Sequence, residues 1–372
     1  MPGNTISGRF GSGRQREMQT TTPLEVAIVG GGRWGKILCK ALAGLRRVRT
    51  IHLVSRRNAR GMQDWIAGQQ LAGRVALHGK LDPVLWNARI TAAIVANLPA
   101  EHFATARWLL ENGKHVLVEK PFVPTRAEAQ ALINMADARG LVVAAGFQFF
   151  LATYLHYFRS VVHKEGHPHP VELTEITWHD ALGEERWSLT RRPDATAAVI
   201  GDILPHVLTV LTVLFGRHAA QTIAILPQKG TASVRLELAY GPHAVRVSLA
   251  RAAASPRRSV AIVNREGRRF ALDFTQEPGT VLQDGRALPG DLLWDALPRP
   301  LPAELAYFLD ETRDRHGTLP LLASETMHII EATEAASARA SEEQLRRLYD
   351  PPVEREYLPP RPPSMPAMNE RR

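Results

Sequence analysis

Cysteine is almost absent from this 372-residue chain, which contains only Cys39. A single cysteine cannot form a disulfide within the chain, so we expect a reducing, cytoplasmic location. Long apolar runs are absent too, because even the most apolar stretch, residues 195–215, contains Asp202 and His206, which a membrane span would exclude. Residues 1–22 lack the apolar core of a signal peptide. We therefore predict a soluble protein with no membrane partner.

Lysine is scarce as well, since seven lysines stand beside 39 arginines, and the formal net charge is +9. The arginines are spread along the whole chain in runs of at most two, whereas a nucleic-acid site gathers its basic residues on one face. We predict no nucleic-acid partner and interpret the excess as compositional bias that also attracts anionic substrates. The fourteen histidines contain one pair at metal-ligand spacing, His167 and His169 in a Pro/Gly-rich turn, so we predict no metal site.

A glycine-rich turn follows the first apolar run, where residues 24–35 read LEVAIVGGGRWG. Gly30, Gly32 and Gly35 match the G-x-G-x-x-G turn that binds the pyrophosphate of a dinucleotide between a strand and a helix. Gly30 permits the tight turn, Gly32 lets the backbone approach the phosphates, and Gly35 lets the helix pack on the strand. We expect Arg33 and Trp34, at the start of that helix, to contact the cofactor.

The end of the second strand-like run, residues 50–54, bears on the choice of cofactor. An NAD site usually has Asp or Glu there, to accept hydrogen bonds from the ribose 2′-hydroxyl. This chain has Ser55, Arg56 and Arg57 instead, and the two guanidinium groups can hold a 2′-phosphate. The pattern favours NADP(H) as the cofactor, and NAD(H) is the alternative cofactor. An ordinary solvated basic loop, with no role in binding, is the structural alternative for these residues.

Strand and helix patterns alternate from Leu24 to Gly146, as in a parallel sheet with crossover helices. Six strand-like runs, the number in a full dinucleotide-binding domain, lie near residues 24–29, 50–54, 74–77, 92–96, 115–118 and 142–145. A capping box, Thr125 with Glu128, opens one helix. Beyond Gly146, the alternation in residues 234–238 predicts antiparallel strands with one wet face. Helices are predicted at 100–111, 125–139, 154–164, 195–215, 302–315 and 322–339.

A lysine ends the fifth strand-like run, where residues 113–122 read GKHVLVEKPF. Ligands bind outside the carboxyl ends of parallel strands, so Lys120 faces the cofactor crevice. Asp202 and His206 stand four residues apart on one helix face, where a carboxylate can orient an imidazole and raise its basicity. A general base near neutral pH needs both effects. A surface lysine, a helix-capping aspartate and a core histidine are the structural alternatives.

These segments resemble the glucose–fructose oxidoreductase / inositol dehydrogenase / MocA (Gfo/Idh/MocA) family over about residues 24–340. The resemblance is carried by the glycine turn, by GKHVLVEKPF, by GFQF at residues 146–149 and by the D-x-x-x-H helix. It implies a Rossmann NAD(P)-binding domain and a C-terminal α/β domain with a large, mostly antiparallel sheet, through which subunits contact in a homodimer or homotetramer. The predicted divisions are a flexible tail at 1–22, the Rossmann domain at 23–146, the second domain at 147–348 and a Pro-rich tail at 349–372.

The resemblance also implies roles for individual residues. His206 would exchange the proton of the reacting oxygen and Lys120 would hydrogen-bond that oxygen. Asp202 would position this catalytic trio while hydride passes between the substrate and the nicotinamide. The implied cofactor contacts beyond the turn and the second strand are Asn97, His102, Glu119, Lys120 and Gln148.

The chain departs from the family pattern next to these motifs. Ala197, Ala198 and Leu204 stand where glycine is common, Thr209 replaces an acidic residue, and an arginine is missing near Phe150. Each change removes polarity or adds bulk, which argues against a free polyol, whose pocket needs many hydrogen-bond partners. The substrate residues predicted on this basis are Phe149, Phe150, Arg191, Arg192, Leu204 and Thr209.

Together these observations predict an NADP(H)-dependent oxidoreductase acting on a CH–OH/C=O pair of a modified sugar or a bulkier metabolite. An imine reductase is an alternative, in which Lys120 or His206 protonates nitrogen. A nucleotide-sugar ketoreductase is another, with Arg186, Arg191 and Arg192 as diphosphate ligands. The alternative from a different class is a cofactor-sensing regulatory protein without turnover, against which the intact trio argues.

Overall fold

The computed structural model describes residues 23–57, 59–163, 171–181, 183, 185–186, 189–190, 198–227, 233–314 and 321–349. Its first sheet has six parallel strands in the order β3-β2-β1-β4-β5-β6. They are β1 Leu24–Val29, β2 Val48–Val54, β3 Val75–His78, β4 Ile90–Val95, β5 His115–Glu119 and β6 Val143–Gly146. The six predicted strands are thus confirmed to within two residues at each end.

Helices cover both faces of this sheet, so its strands are apolar runs buried on both sides. The helices are α1 Arg33–Ala43, α2 Ala59–Gly68, α3 Asp82–Trp86, α4 His102–Glu111 and α5 Arg126–Arg139, with a 3₁₀ turn at Pro99–Glu101 before α4. The capping box at the start of α5 is confirmed, because the Glu128 backbone N–H donates to Thr125 Oγ1 at 3.2 Å. Helices and sheet together form the predicted Rossmann fold.

The second sheet has eight strands in the order β10-β11-β12-β7-β13-β14-β15-β16. All neighbours are antiparallel except β12 and β7, which confirms a large, mostly antiparallel sheet. Its strands are β7 Val171–Ala181, β10 Ala220–Pro227, β11 Ser233–Tyr240, β12 His243–Ala253, β13 Arg257–Asn264, β14 Arg269–Asp273, β15 Thr280–Gln283 and β16 Arg286–Ala287, and β8 Glu185–Arg186 and β9 Leu189–Thr190 form a separate hairpin. The helices of this half are α6 Thr153–Val162, α7 Val199–Phe215, α8 Pro300–Asp314 and α9 Met327–Tyr349.

One face of the second sheet is buried and the other is open. In β11, Val234, Leu236 and Leu238 are buried while Arg235 and Glu237 are exposed, as the period-two pattern predicted. The use of the open face for subunit contact stays a prediction. Within the described residues, no helix combines the length and apolarity that crossing a bilayer requires.

The later half of the chain returns to the first sheet. Residues 321–323 run along the edge of β6, where Ala145 N–H donates to Leu321 O at 2.8 Å and Ala323 N–H donates to Val143 O at 3.0 Å. Helix α9 continues to Tyr349, beyond its predicted end at residue 339. Both predicted tails lie outside the described residues except for Tyr349 itself.

Candidate active site

A cleft of about 1280 Å3, measured out to its open mouth, lies at the carboxyl ends of the parallel strands. Helix α7 and the inner face of the second sheet form its opposite wall. Its lining residues are Arg33, Trp34, Ala96, Asn97, Pro99, His102, Glu119, Lys120, Pro121, Gly146, Gln148, Phe149, Trp178, Asp180, Asp202, Ile203, His206, Arg258 and Glu304. Most of the predicted cofactor contacts therefore share this cleft with the predicted catalytic trio.

The glycine turn is packed too tightly for side chains at Gly30, Gly31 and Gly35, and a Cβ at Gly31 would lie 2.2 Å from Ser55 Oγ. Gly30 has a φ of +131°, and a Cβ there would lie 2.3 Å from the Ala96 carbonyl oxygen. A Cβ at Gly35 would lie 1.9 Å from the Gly30 carbonyl oxygen. A Cβ at Gly32 would meet no atom within 4 Å, and no side chain caps the helix α1 that begins after it. The helix N-terminus thus faces open space, which fits a bound pyrophosphate.

The end of β2 holds the three residues that the sequence assigns to the ribose end. Ser55 is buried and its hydroxyl donates to the Arg57 carbonyl at 2.8 Å. Arg56 is exposed and its Nη2 lies 2.5 Å from Glu101 Oε2. The guanidinium of Arg56 is therefore shared with a carboxylate from the turn before α4, and any 2′-phosphate would compete with that ion pair. The role of these residues in cofactor choice stays a prediction.

Two polar residues connect the ends of β4 and β5. The Asn97 amide donates to Glu101 Oε2 at 3.0 Å and to Thr105 Oγ1 at 2.9 Å. The buried His102 places Nδ1 2.9 Å from the Pro121 carbonyl, and burial lowers the pKa of its imidazole. This contact fixes the backbone directly after Lys120, where the Lys120–Pro121 peptide bond is cis.

The catalytic trio is assembled from both halves of the chain. Lys120 Nζ, from the end of β5, donates to Asp202 Oδ1 at 2.5 Å and to the Asp202 carbonyl at 3.2 Å. Asp202 Oδ2 lies 3.8 Å from Arg251 Nε, so the carboxylate lies between two cations. His206 follows one turn later on α7 and lines the same cleft. A lysine held by a carboxylate beside an imidazole can both polarise an oxygen and move its proton.

Aromatic rings fix the orientation of His206. Its imidazole stacks on the Trp178 indole with centroids 5.1 Å apart and an interplanar angle of 14°. Phe149 meets the same imidazole edge-on, with centroids 5.2 Å apart. Trp178 comes from β7, far from the predicted motifs in sequence.

A buried ion pair, Arg258 with Asp180, forms part of the sheet-side wall. Arg258 Nη2 lies 2.6 Å from Asp180 Oδ1, and the two side chains are 1% and 5% exposed. The guanidinium also lies over the Trp178 ring, 5.8 Å from its centroid. The sequence reasoning missed both residues, although period two places Arg258 on the same strand face as the buried Val260 and Ile262.

A third missed residue is Glu304 on α8, which lines the cleft together with Glu119. Both carboxyl groups are buried. Burial raises the pKa of Glu119 to about 7, although the Trp34 indole N–H and the charge of Lys120 oppose the rise. Burial, and then the charge of Glu119, raise the pKa of Glu304 well above its usual range. The sequence signal for Glu304 was its place among the apolar residues Leu301, Leu305 and Phe308, which are buried in the structure.

Three predicted substrate residues, Phe150, Leu204 and Thr209, do not line the cleft. Phe150 is buried against Phe147. Leu204 is buried on the side of α7 opposite Asp202 and His206. The Thr209 hydroxyl donates to the Pro205 carbonyl at 2.8 Å. Leu204 is two residues from each catalytic position, which is about 200° around a helix. Arg191, Arg192 and the His167/His169 pair lie outside the described residues. Arg186 is described by its backbone alone.

Comparison with known proteins supports the assignment of the first half. Residues 24–147 match the model of the Gfo/Idh/MocA family, described as an oxidoreductase family with an NAD-binding Rossmann fold. The uncharacterized oxidoreductase YhhX of Escherichia coli K12 is 44% identical over 63 residues, which cover 17% of this chain and 18% of that protein. UDP-N-acetylglucosamine 3-dehydrogenase of Acidithiobacillus ferrooxidans is 42% identical over 59 residues, 16% of this chain and 19% of that protein. These sequence matches thus span about a fifth of each relative.

Solved structures resemble the chain over most of its length. The Acidithiobacillus ferrooxidans enzyme GnnA superposes with a TM-score of 0.65 and 19% identity, covering 85% of this chain and 97% of that one. GenD2 of gentamicin A biosynthesis, solved with NAD, gives 0.70 and 18%, covering 88% and 97%. KijD10, a 3-ketoreductase of Actinomadura kijaniata solved with TDP-benzene and NADP, gives 0.67 and 15%, covering 84% and 96%. At these identities the likeness shows a shared fold. Residues 24–147 thus match the Gfo/Idh/MocA oxidoreductase family, and the chain shares the fold of these solved structures over most of its length.

Proposed function

We propose that the protein is an NADP(H)-dependent oxidoreductase that interconverts CH–OH and C=O at one carbon of a sugar. The observation that carries this proposal is the 2.5 Å contact between Lys120 Nζ and Asp202 Oδ1, beside His206, at the carboxyl end of a Rossmann sheet. The side chains of Lys120 and Asp202 are 22% and 14% exposed, so both are partly open to the cleft. A solely structural ion pair would not need an imidazole lining the same space.

The residues present fit a dinucleotide. The open space at Gly32 and the uncapped start of α1 suit the pyrophosphate, while Asn97, His102 and Gln148 line the part of the cleft over β4 to β6. When bound, the nicotinamide would supply or accept the hydride. NADP(H) is our preferred cofactor because Arg56 and Arg57 stand where an NAD site usually has an acid. The GenD2 and KijD10 complexes show that proteins of this fold hold either dinucleotide.

The side chains divide the proton chemistry between them. In the reductive direction, Lys120 donates a hydrogen bond to the substrate carbonyl oxygen and stabilises the negative charge that develops there. His206 gives that oxygen its proton, and in the oxidative direction His206 takes the proton back. Asp202 holds the Lys120 ammonium in place through its 2.5 Å contact. Trp178 and Phe149 hold the imidazole plane, so the proton is delivered in one direction.

The sheet-side wall supports a sugar rather than an apolar substrate. Asp180 accepts hydrogen bonds and Arg258 donates them, and each is therefore a partner for a hydroxyl group. Trp178 adds an aromatic surface of the kind on which sugar C–H groups pack. Asp180 and Arg258 supply polar groups to the cleft, whereas Leu204 and Thr209 do not line it. A nucleotide-linked sugar is the second candidate, supported by the names of two similar proteins, a UDP-N-acetylglucosamine 3-dehydrogenase and a 3-ketoreductase.

A substrate screen tests the proposal. Purified protein would be mixed with NADP⁺ or NADPH and a panel of free sugars, nucleotide-linked sugars and their keto forms, and the NADPH absorbance followed. We expect turnover with at least one CH–OH/C=O pair and a ~10²–10⁴-fold loss in His206→Asn, because the proton carrier is removed. Tight NADPH binding without turnover on any member of the panel would contradict the proposal and favour a regulatory protein.

A further inference from the structure

Two acidic side chains lie on the floor of the cleft and are not used in the chemistry proposed above. Glu119 ends β5 and Glu304 lies near the start of α8, and their residues are 5% and 1% exposed. Both line the cleft. Within the described part of the chain, Oε1 of Glu119 and Oε1 of Glu304 have no hydrogen-bond donor. Buried carboxylate oxygens without donors are costly, so this pair calls for a physical explanation.

The surroundings do not neutralise this pair. Glu119 Oε2 receives the Lys120 backbone N–H at 3.3 Å, and the Trp34 indole N–H faces the same carboxyl group. The Lys120 ammonium is hydrogen-bonded to Asp202. On the remaining side, β6 presents only backbone, because a Cβ at Gly146 would lie 3.1 Å from the Glu119 carboxyl carbon. The other ionisable groups that line the cleft are Arg33, His102, Asp180, His206 and Arg258.

Two neighbouring buried carboxyl groups retain a proton more strongly than isolated ones. Burial raises the pKa of Glu119 to about 7, and burial together with the charge of Glu119 raises that of Glu304 well above its usual range. Protonation removes the buried negative charge, and this lowers the cost of carboxyl oxygens that have no donor.

The position of the pair relates it to the cofactor. Strand order reverses between β1 and β4, and a dinucleotide in this fold lies across that point with its two halves on opposite sides. The ribose that carries the 2′-phosphate lies near Ser55 after β2, so the nicotinamide lies over β4, β5 and β6. Glu119 and Gly146 end β5 and β6. The carboxyl pair thus lies on the nicotinamide side of the cleft.

We propose that Glu119 and Glu304 lie beside the nicotinamide with both carboxyl groups protonated at low pH, and that loss of one proton from this pair sets which redox state of the cofactor binds more tightly. The inference rests on the proposed cofactor site. An oxidised nicotinamide ring carries a positive charge and a reduced ring carries none. The protonated pair is neutral and does not favour the oxidised ring, whereas the ionised pair attracts it. Raising the pH through the ionisation of Glu119 therefore strengthens NADP⁺ binding relative to NADPH binding.

The test compares the two dissociation constants across pH. NADPH and NADP⁺ would be titrated into the intact protein from about pH 6 to about pH 8.5, with binding followed by fluorescence or calorimetry. We expect the ratio of the NADPH constant to the NADP⁺ constant to rise about tenfold, as one negative charge near the ring predicts in a partly screened site. The 2′-phosphate titrates equally in both ligands and cancels from the ratio.

Four variants assign the effect. Glu119→Gln should make the ratio constant within about twofold, whereas Glu304→Gln should retain the transition, because Glu304 is already neutral where Glu119 ionises. Asp310→Asn, on the same helix as Glu304 but in contact with Arg47 outside the cleft, is the matched control and should behave as the wild type. If His206→Asn abolishes the pH dependence instead, the imidazole is the titrating group and the proposal is wrong.

The wild-type protein is sufficient if a glutamine variant fails to fold. Calorimetry in two buffers of different ionisation enthalpy should show that NADP⁺ binding near pH 6.5 releases a proton and that NADPH binding does not. A wild-type ratio that stays constant across the pH range, without proton release, would overturn the inference and leave the proposed function intact. Absence of binding by both nucleotides would overturn the proposed function itself.

Discussion

The two walls of the cleft are built in different ways. The wall from the parallel sheet uses short contiguous segments, the turn at residues 30–35, the strand end at 119–120 and the segment 146–148. The opposite wall combines side chains from β7, α7 and β13, which meet only in the folded protein. The first wall can be recognised from sequence motifs. The second wall can be recognised only from charged residues that lie on otherwise apolar strand or helix faces.

The largest effect is expected from a variant that removes the contact between the two walls. Lys120→Met removes the group that spans from β5 to Asp202, and turnover should fall at least ~10³-fold because the reacting oxygen loses its charged donor. NADPH affinity, measured by fluorescence, should change less than about threefold because the pyrophosphate turn is intact. Lys114→Met is the matched control, since Lys114 is a buried lysine that donates to the Asn87 carbonyl outside the cleft. Near-normal turnover in Lys120→Met would refute the assigned roles.

A smaller effect tests the second wall alone. Arg258→Met removes the guanidinium that pairs with the buried Asp180 carboxylate, and the free energy of unfolding should fall by about 3–5 kcal/mol. The double variant Arg258→Met with Asp180→Leu should recover most of that stability, because no buried charge remains, while KM for the substrate stays raised. Denaturant unfolding and steady-state kinetics measure the two parts. Equal instability of the single and double variants would show that the pair does not act as a unit.

The smallest effect concerns the ribose end of the first wall. Arg56→Ala with Arg57→Ala should weaken NADPH binding relative to NADH by about 1.5–3 kcal/mol for each charge-assisted bond lost. We expect the lower end for Arg56, because its guanidinium is shared with Glu101. Fluorescence titration of both cofactors measures the preference. An NADH affinity equal to or better than that for NADPH in the wild type would contradict the assignment to NADP.

The sequence predicted what depends on local order. The six parallel strands follow from short apolar runs separated by turns, and the capping box at Thr125 involves residues three positions apart. The sequence did not identify Arg258 because its partner Asp180 lies on another strand. Only the pairing of β13 with β7 brings the two residues together. Leu204 and Thr209 were assigned to the substrate because they lie near His206 in sequence. Rotation along α7 and the depth of its packing separate them from the cleft.

The contact of residues 321–323 with the edge of β6 has a consequence for protein synthesis. Translation releases β1 to β6 first, and the backbone groups on the outer edge of β6 remain unpaired until residue 323 has left the ribosome. An unpaired strand edge is a template for pairing with other chains. Crowded polysomes would place many such edges close together, so the most vulnerable period of this molecule falls between synthesis of its first half and arrival of the segment that closes the sheet.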